Sequence, residues 1–194
     1  MLAPVSAELD GVLETFLALT EAAGLELREE ERTDDFFAGI FVPVGADEAA
    51  DFWAEVDLEV GLAGRQVAVE ARFPLPTPTG SIHPLELAEA YQVIDGWLRR
   101  QPFQVRPEVR FAGSLTRQGE LILDELYLRW RWQLLALAED AWAVRVWHPD
   151  GPGAGWREAG RWAGLREALE PVAQEVAAAV RRLGGEDQAL ATLF

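Results

Sequence analysis

The sequence predicts an α+β fold: an antiparallel sheet with helices packed on it, in the order α-β-β-β-β-α-β-β-β-α. Three observations carry this. Apolar residues recur at helical spacing near the start, around residues 84–99 and toward the end of the chain. Between them lie runs of strict alternation, the mark of strands with one buried and one wet face. Short turn signals join consecutive strands, and short connections allow only antiparallel pairing.

The first helix spans Ala7–Ala23. Ser6 is placed to cap it, Glu8 sits in its electropositive first turn, and Gly24 can end it in the left-handed conformation. Leu9, Val12, Leu13, Phe16, Leu17 and Thr20 share one face. The period then changes to two. Leu25 and Leu27 alternate with Glu26 and Arg28, and Phe36–Val44 reads as the second strand, closed by Gly45. The third is the cleanest: Phe52, Ala54, Val56, Leu58 and Val60 alternate with Trp53, Glu55, Asp57 and Glu59. A turn at Gly61–Gly64 leads to a return strand through Val67, Val69, Ala71 and Phe73.

Pro84 suits the first turn of a second helix reaching Arg99, with a stripe of Leu87, Ala88, Ala90, Tyr91, Ile94, Trp97 and Leu98. After an irregular stretch holding Val105, Val109 and Phe111, residues 117–120 (RQGE) read as a hairpin turn. Leu128, Trp130, Trp132 and Leu134 alternate with Arg129, Arg131 and Gln133. Glu139-Asp140 reads as the turn before a strand from Ala141 to Trp147. The glycine-rich 148–155 segment reads as a linker, and the last helix is expected from about Trp156, with Pro171 kinking it or starting a second segment. Gly184-Gly185 ends it. The expected organisation is a domain over 1–147 and a linker with a helical segment over 148–194 that packs on the same core.

Composition limits the chemistry. The chain has 194 residues, enough to bury a core without disulfides or metals. Its 17 basic residues are all arginine, set against 33 acids, and it has no lysine, cysteine or asparagine. Loss of lysine and asparagine beside abundant Ala, Gly, Leu, Arg and Val points to GC-rich coding. Whatever its origin, it excludes Schiff-base, thiol and phosphate-loop lysine chemistry. Zero cysteine fits a reducing interior. MLAPVSAELDGV lacks the basic and apolar regions of a secretory signal, and no apolar run is long enough to span a bilayer, so a cytoplasmic location is expected. The net charge of −16 repels nucleic acid and anionic membranes and attracts basic surfaces. Residues 1–100 carry 20 acids and 6 arginines, so electrostatic recognition is expected in the first half.

The element order, with LALTEAAGLELRE at its head and LELAEAYQVIDGWL at 85–98, resembles the YbjN-like family. The matching pieces are Leu17–Gly24, Leu25–Glu31, the strands through Phe73 and the second helix. The likeness covers roughly residues 8–135 and rests on pattern and order. That family's fold is similar to the class I chaperones of type III secretion systems, small acidic α+β proteins that dimerise and bind partner segments. The resemblance implies a homodimer with a protein partner, no catalysis and no cofactor. The sequence departs from the family at Asp95-Gly96-Trp97, where an Asn-rich turn is usual, and in its long tryptophan-rich 101–147 region.

Several constellations have two readings. Glu55, Asp57 and Glu59 lie about 6.8 Å apart along one strand face by strand geometry. They form either a carboxylate ladder for a basic partner, with Trp53 as an aromatic anchor, or a solvated outer face. Glu29, Glu30, Glu31, Asp34 and Asp35, between the first two strands, are either a contact for a basic surface or solvent-facing filler. Trp142, Val144 and Val146 oppose Ala143, Arg145 and Trp147, so the strand is covered on both sides, by a helix or a second subunit. Tyr91, Ile94 and Leu98 either pack on the sheet or meet symmetry mates. Tyr91, Ile94, Leu98, Trp142 and Trp147 are therefore the candidate dimer interface. GPGAG (151–155) lacks the lysine and hydroxyl of a phosphate loop. His83 is suited to capping, and neither it nor His148 belongs to a metal-ligand cluster. No serine of the three, Ser6, Ser81 and Ser114, sits in a nucleophile elbow.

The expected function is that of a non-enzymatic, acidic, dimeric adaptor or chaperone-like protein. It would dock a basic partner protein through Trp53, Glu55, Asp57 and Glu59, with nucleic-acid-binding proteins among the candidate partners and no direct contact with nucleic acid or membrane. No catalytic residue, metal ligand or cofactor is expected. The alternative is a small-ligand-binding protein or hydrolase with a carboxylate pair in a Trp-lined pocket.

Overall fold

The computed structural model describes residues 7–47, 53–137, 141–186 and 188–194. The fold is mixed α+β: one nine-stranded antiparallel sheet and three α-helices. In chain order these are α1 (Leu9–Ala22), β1 (Leu25–Arg32), β2 (Phe36–Pro43), β3 (Ala54–Gly61), β4 (Gln66–Pro74), β5 (Ser81–Ile82), α2 (Pro84–Arg100), β6 (Glu108–Leu115), β7 (Leu121–Ala136), β8 (Trp142–His148), β9 (Gly155–Trp162) and α3 (Leu165–Arg181). The sheet runs β1-β2-β3-β4-β7-β8-β9, with β5 and β6 also pairing to the long β7.

Local chemistry accounts for most boundaries. α1 starts two residues later than the spacing predicts, at Leu9, with Glu8 as its N-cap. Ser6 lies outside the described residues, as do Phe52 and the expected turn at Glu139-Asp140. Gly24, at φ +90°, ends the helix as predicted. Arg181 from α3 donates to the Ala23 carbonyl at 2.8 Å, tying the C-terminal end of α1 to α3. His83 caps α2: its Nδ1 accepts from Leu85 N at 3.2 Å, while Glu86 accepts from His83 N at 2.7 Å. The RQGE turn forms the β6–β7 hairpin, closed by a 2.8 Å bond from Thr116 N to the Glu120 carbonyl.

Two strands are additional to the expected order. β5 is a two-residue pairing to β7, too short to leave a periodic signal. The larger correction concerns β9. The last helix does not begin near Trp156. Residues 155–162 pair with β8 from Trp142↔Trp162 to His148↔Gly155, through a bulge between Val144 and Arg145. Gly151–Gly153 is a single 3₁₀ turn inside this hairpin rather than a linker, so the expected 147/148 boundary falls at the end of β8 within one paired unit. Trp156, Gly160 and Trp162 belong to a strand because their partners on β8 satisfy their backbone groups, which local pattern alone does not reveal. α3 then runs from Leu165 to Arg181 as one helix with Pro171 inside it, so Pro171 does not start a second segment.

One face of the sheet holds the core. Val56, Leu58, Val69, Phe73, Leu128, Trp130 and Val144 on the sheet pack with Leu13 and Phe16 of α1 and Leu169, Val172 and Val176 of α3. Phe16 meets Phe41 edge-on at 5.9 Å. Ile94, Trp97 and Leu98 of α2 join the same cluster, where Phe103 bridges Trp97 and Trp130. Ile94, Leu98 and Trp142 are therefore buried inside the chain's own core, at 0%, 4% and 1% exposure. Three of the five candidate dimer residues have no surface left for a second subunit in this fold. Tyr91 and Trp147 stay half-buried. None of the described helices is long and apolar enough to cross a membrane.

A charged open face as the candidate functional site

Among the described residues, no helix packs on the second face of the sheet. The register of β3, β4, β7, β8 and β9 sets its side chains in rows. Asp57 stands opposite Glu70, Glu70 opposite Arg131, and Trp147 opposite Trp156. In the next row Glu55 faces Arg72, Arg72 faces Arg129, and Arg129 faces Glu108 of β6. Because side chains alternate across a strand, β3, β4 and β7 deliver mostly polar residues here and apolar ones to the core, while β8 and β9 add Trp147 and Trp156.

Glu55, Asp57 and Glu59 do share this face, but the ladder is not an open row of acids. Arg72 grips it. Its Nη2 bonds Asp57 Oδ2 at 2.8 Å, its Nε bonds Glu70 Oε1 at 2.8 Å, and its Nη1 lies 4.0 Å from Glu55. Beside it, Arg129 donates twice to Glu108 Oε2, at 2.6 and 3.0 Å, and Arg131 lies 3.8 Å from the same oxygen. Arg110 donates to the other Glu108 oxygen at 3.4 Å, so five carboxylates face four guanidinium groups. Glu59 is exposed and has no ion pair among the described residues. Trp53 stands immediately before β3 and is half-buried. Glu29, Glu30 and Glu31 lie on β1 rather than in a turn. Asp34 and Asp35 form the β1–β2 turn, where Thr33 Oγ1 donates to Asp35 at 3.2 Å.

Asp57 carries a strongly perturbed carboxyl on this face. Burial pushes its carboxyl up to about 6, against the pull of Arg72, and the neighbouring Glu55 and Glu70 add to the rise. Its Oδ2 is held by Arg72, while Oδ1 is buried and has no hydrogen-bond partner. Asp57 is among the residues that line a dimple of about 170 Å³, with Phe36, Glu59, Arg131, Gln133, Trp156 and others. Arg131, also in this lining, has a second buried atom without a hydrogen-bond partner, its Nε. The Arg131 guanidinium stacks over Trp147 at 4.4 Å and reaches Trp156 at 5.8 Å, and the two rings meet edge-on at 5.6 Å. Burial and the adjacent Arg129 lower its affinity for a proton.

The sequence points to the acidic side of this site. Phe36, Glu70, Arg72, Arg131, Trp147 and Trp156 join it only through pairing between strands far apart in the chain. Alternation in Arg129–Gln133 was a visible signal that Arg131 would face outward; nothing local assigned it to Asp57. Among the described residues no group of three histidines or carboxylates is placed to hold a metal ion. No family model matches the chain, and no match is found among curated proteins or solved structures.

Proposed function

We propose that this chain is a non-enzymatic, protein-binding homodimer that docks a basic segment of a partner protein on the open face of its sheet. The YbjN-like relationship, the secretion-chaperone-like classification and a cytoplasmic location belong to the same proposal. A nucleic-acid-binding protein has the required cationic chemistry.

The observation that supports this reading is Asp57, with one carboxylate oxygen unsatisfied, in the same lining as exposed Glu59, Phe36 and Trp156. An unpaired buried acceptor is unfavourable until a donor arrives. A dimple of about 170 Å³ is below the usual size of a small-molecule pocket and suits one inserted side chain. Guanidinium and ammonium groups bring donors and stack on aromatic faces. The Arg131 Nε–H offers the complementary donor to a peptide carbonyl, which favours a polypeptide over a bare cation.

Titration of the full chain with a labelled oligoarginine peptide tests the reading. Asp57→Asn, and separately Trp53→Ala combined with Glu55→Gln and Glu59→Gln, are expected to weaken binding about tenfold or more, ~1.4 kcal/mol. Added salt should weaken it further. Unchanged affinity in both variants removes the site. Light scattering on the eluting protein tests the dimer, and a monomer at micromolar concentration counts against it.

A further inference from the structure

The other side of the sheet carries a larger concavity. Between α3 and the β7–β9 end of the sheet lies a groove of about 850 Å³, within the range of small-molecule sites. Its floor is apolar, with Trp132, Val144 and Val146 from β7 and β8. Trp162 of β9 forms a half-exposed wall, and Ala178 of α3 leaves the space open where a larger side chain would fill it.

One polar group stands out in this lining. Glu175 projects from α3, and its Oε1 is buried without a hydrogen-bond partner. Burial raises its pKa, and the Gln104 backbone and the Arg182 guanidinium oppose that rise only in part. Glu170 adds a second carboxylate to the lining, against Arg181 as the one basic residue there. A carboxyl side chain in the lining of a groove with an aromatic and aliphatic floor matches a ligand with one cationic donor and an apolar body.

We propose that this groove binds a small arylalkylamine, its ring on Trp132 and Trp162 and its ammonium group on Glu175. The site is separate from the carboxylate face, since the sheet lies between them, and it stands or falls independently of the peptide-docking reading.

The test titrates the full chain with 2-phenylethylamine and, as a size-matched acid, 3-phenylpropionic acid. Tryptophan fluorescence excited at its red edge is the readout, where neither probe absorbs. The amine should give a saturable change and the acid at least about tenfold weaker binding. Glu175→Gln should weaken the amine about tenfold, ~1.4 kcal/mol. Ala178→Phe should abolish the response by filling the groove, while leaving oligoarginine binding unchanged. Thermal unfolding confirms that each variant is folded. If Glu175→Gln fails to fold, the amine–acid comparison and Ala178→Phe still decide. No saturable response to the amine, equal binding of the acid, or undiminished binding in Ala178→Phe or in folded Glu175→Gln overturns the proposal.

Discussion

The guanidinium carbon of Arg131 lies 4.4 Å from the ring centre of Trp147, although the two residues are on different strands and the second tryptophan, Trp156, comes from a third. The stack fixes one wall of the dimple that Asp57 borders. Its strength is measurable by a double-mutant cycle of Arg131→Met and Trp147→Leu in urea unfolding. The expected coupling is about 0.5–1 kcal/mol, the value for a partly exposed cation–π pair. Zero coupling would mean that the stack is a contact without energetic consequence.

The raised pKa of Asp57 has a definite effect on stability. Its folded value of about 6 lies above the unfolded value near 3.9, so between these limits the folded state holds the proton and the unfolded state does not. Stability from this group is fully present below the unfolded value and is lost as pH rises through about 6. Relative to Asp57→Asn, the wild-type protein should lose about 1–2 kcal/mol between pH 4 and 7, after allowance for solvent screening. Chemical denaturation of both proteins across that range checks the sign.

Gly113 sits at the β6 bulge. A Cβ there would lie 2.3 Å from the Ile122 carbonyl oxygen, which belongs to backbone and cannot swing away. Gly113→Ala is expected to cost about 1–3 kcal/mol in unfolding free energy, the usual range for overpacking. Gly11→Ala is the control, since its Cβ would meet nothing within 4 Å.

The β3–β4 turn places Leu62 and Ala63 at φ 52° and 54°, a region where an L side chain crowds the backbone. Leu62 is also 68% exposed, so its side chain contributes little packing. Replacing the pair by Asn-Gly should stabilise the chain by about 1 kcal/mol, visible as a higher thermal midpoint.

Much of the molecule was legible from local pattern. α1 could be placed because Leu9, Val12, Leu13 and Phe16 share a face, and Gly24 stops it. β3 and β4 followed from alternation alone, and so did the position of Glu55, Asp57 and Glu59 on one face. His83 was readable as a cap because Pro84 follows it. These features depend on periodicity and turn chemistry within a few residues of one another.

What lay beyond that reach was every feature that depends on which strand sits beside which. β9 carries Trp156, Gly160 and Trp162, residues without strict alternation, and only pairing with β8 makes them a strand. The β4–β7 pairing brings Arg129 and Arg131 to Glu70, across more than fifty intervening residues. It turned an apparent row of free acids into a partly neutralised network with one unsatisfied oxygen. Sequence by itself determined the α+β class, most elements and the outward direction of the acids, because these follow from the alternation of side chains along one segment. Tertiary structure alone decided the partners of those acids, the burial of Ile94, Leu98 and Trp142, and the groove at Glu175. Desolvation and pairing are properties of the neighbours a side chain meets, and in a sheet those neighbours come from distant parts of the chain.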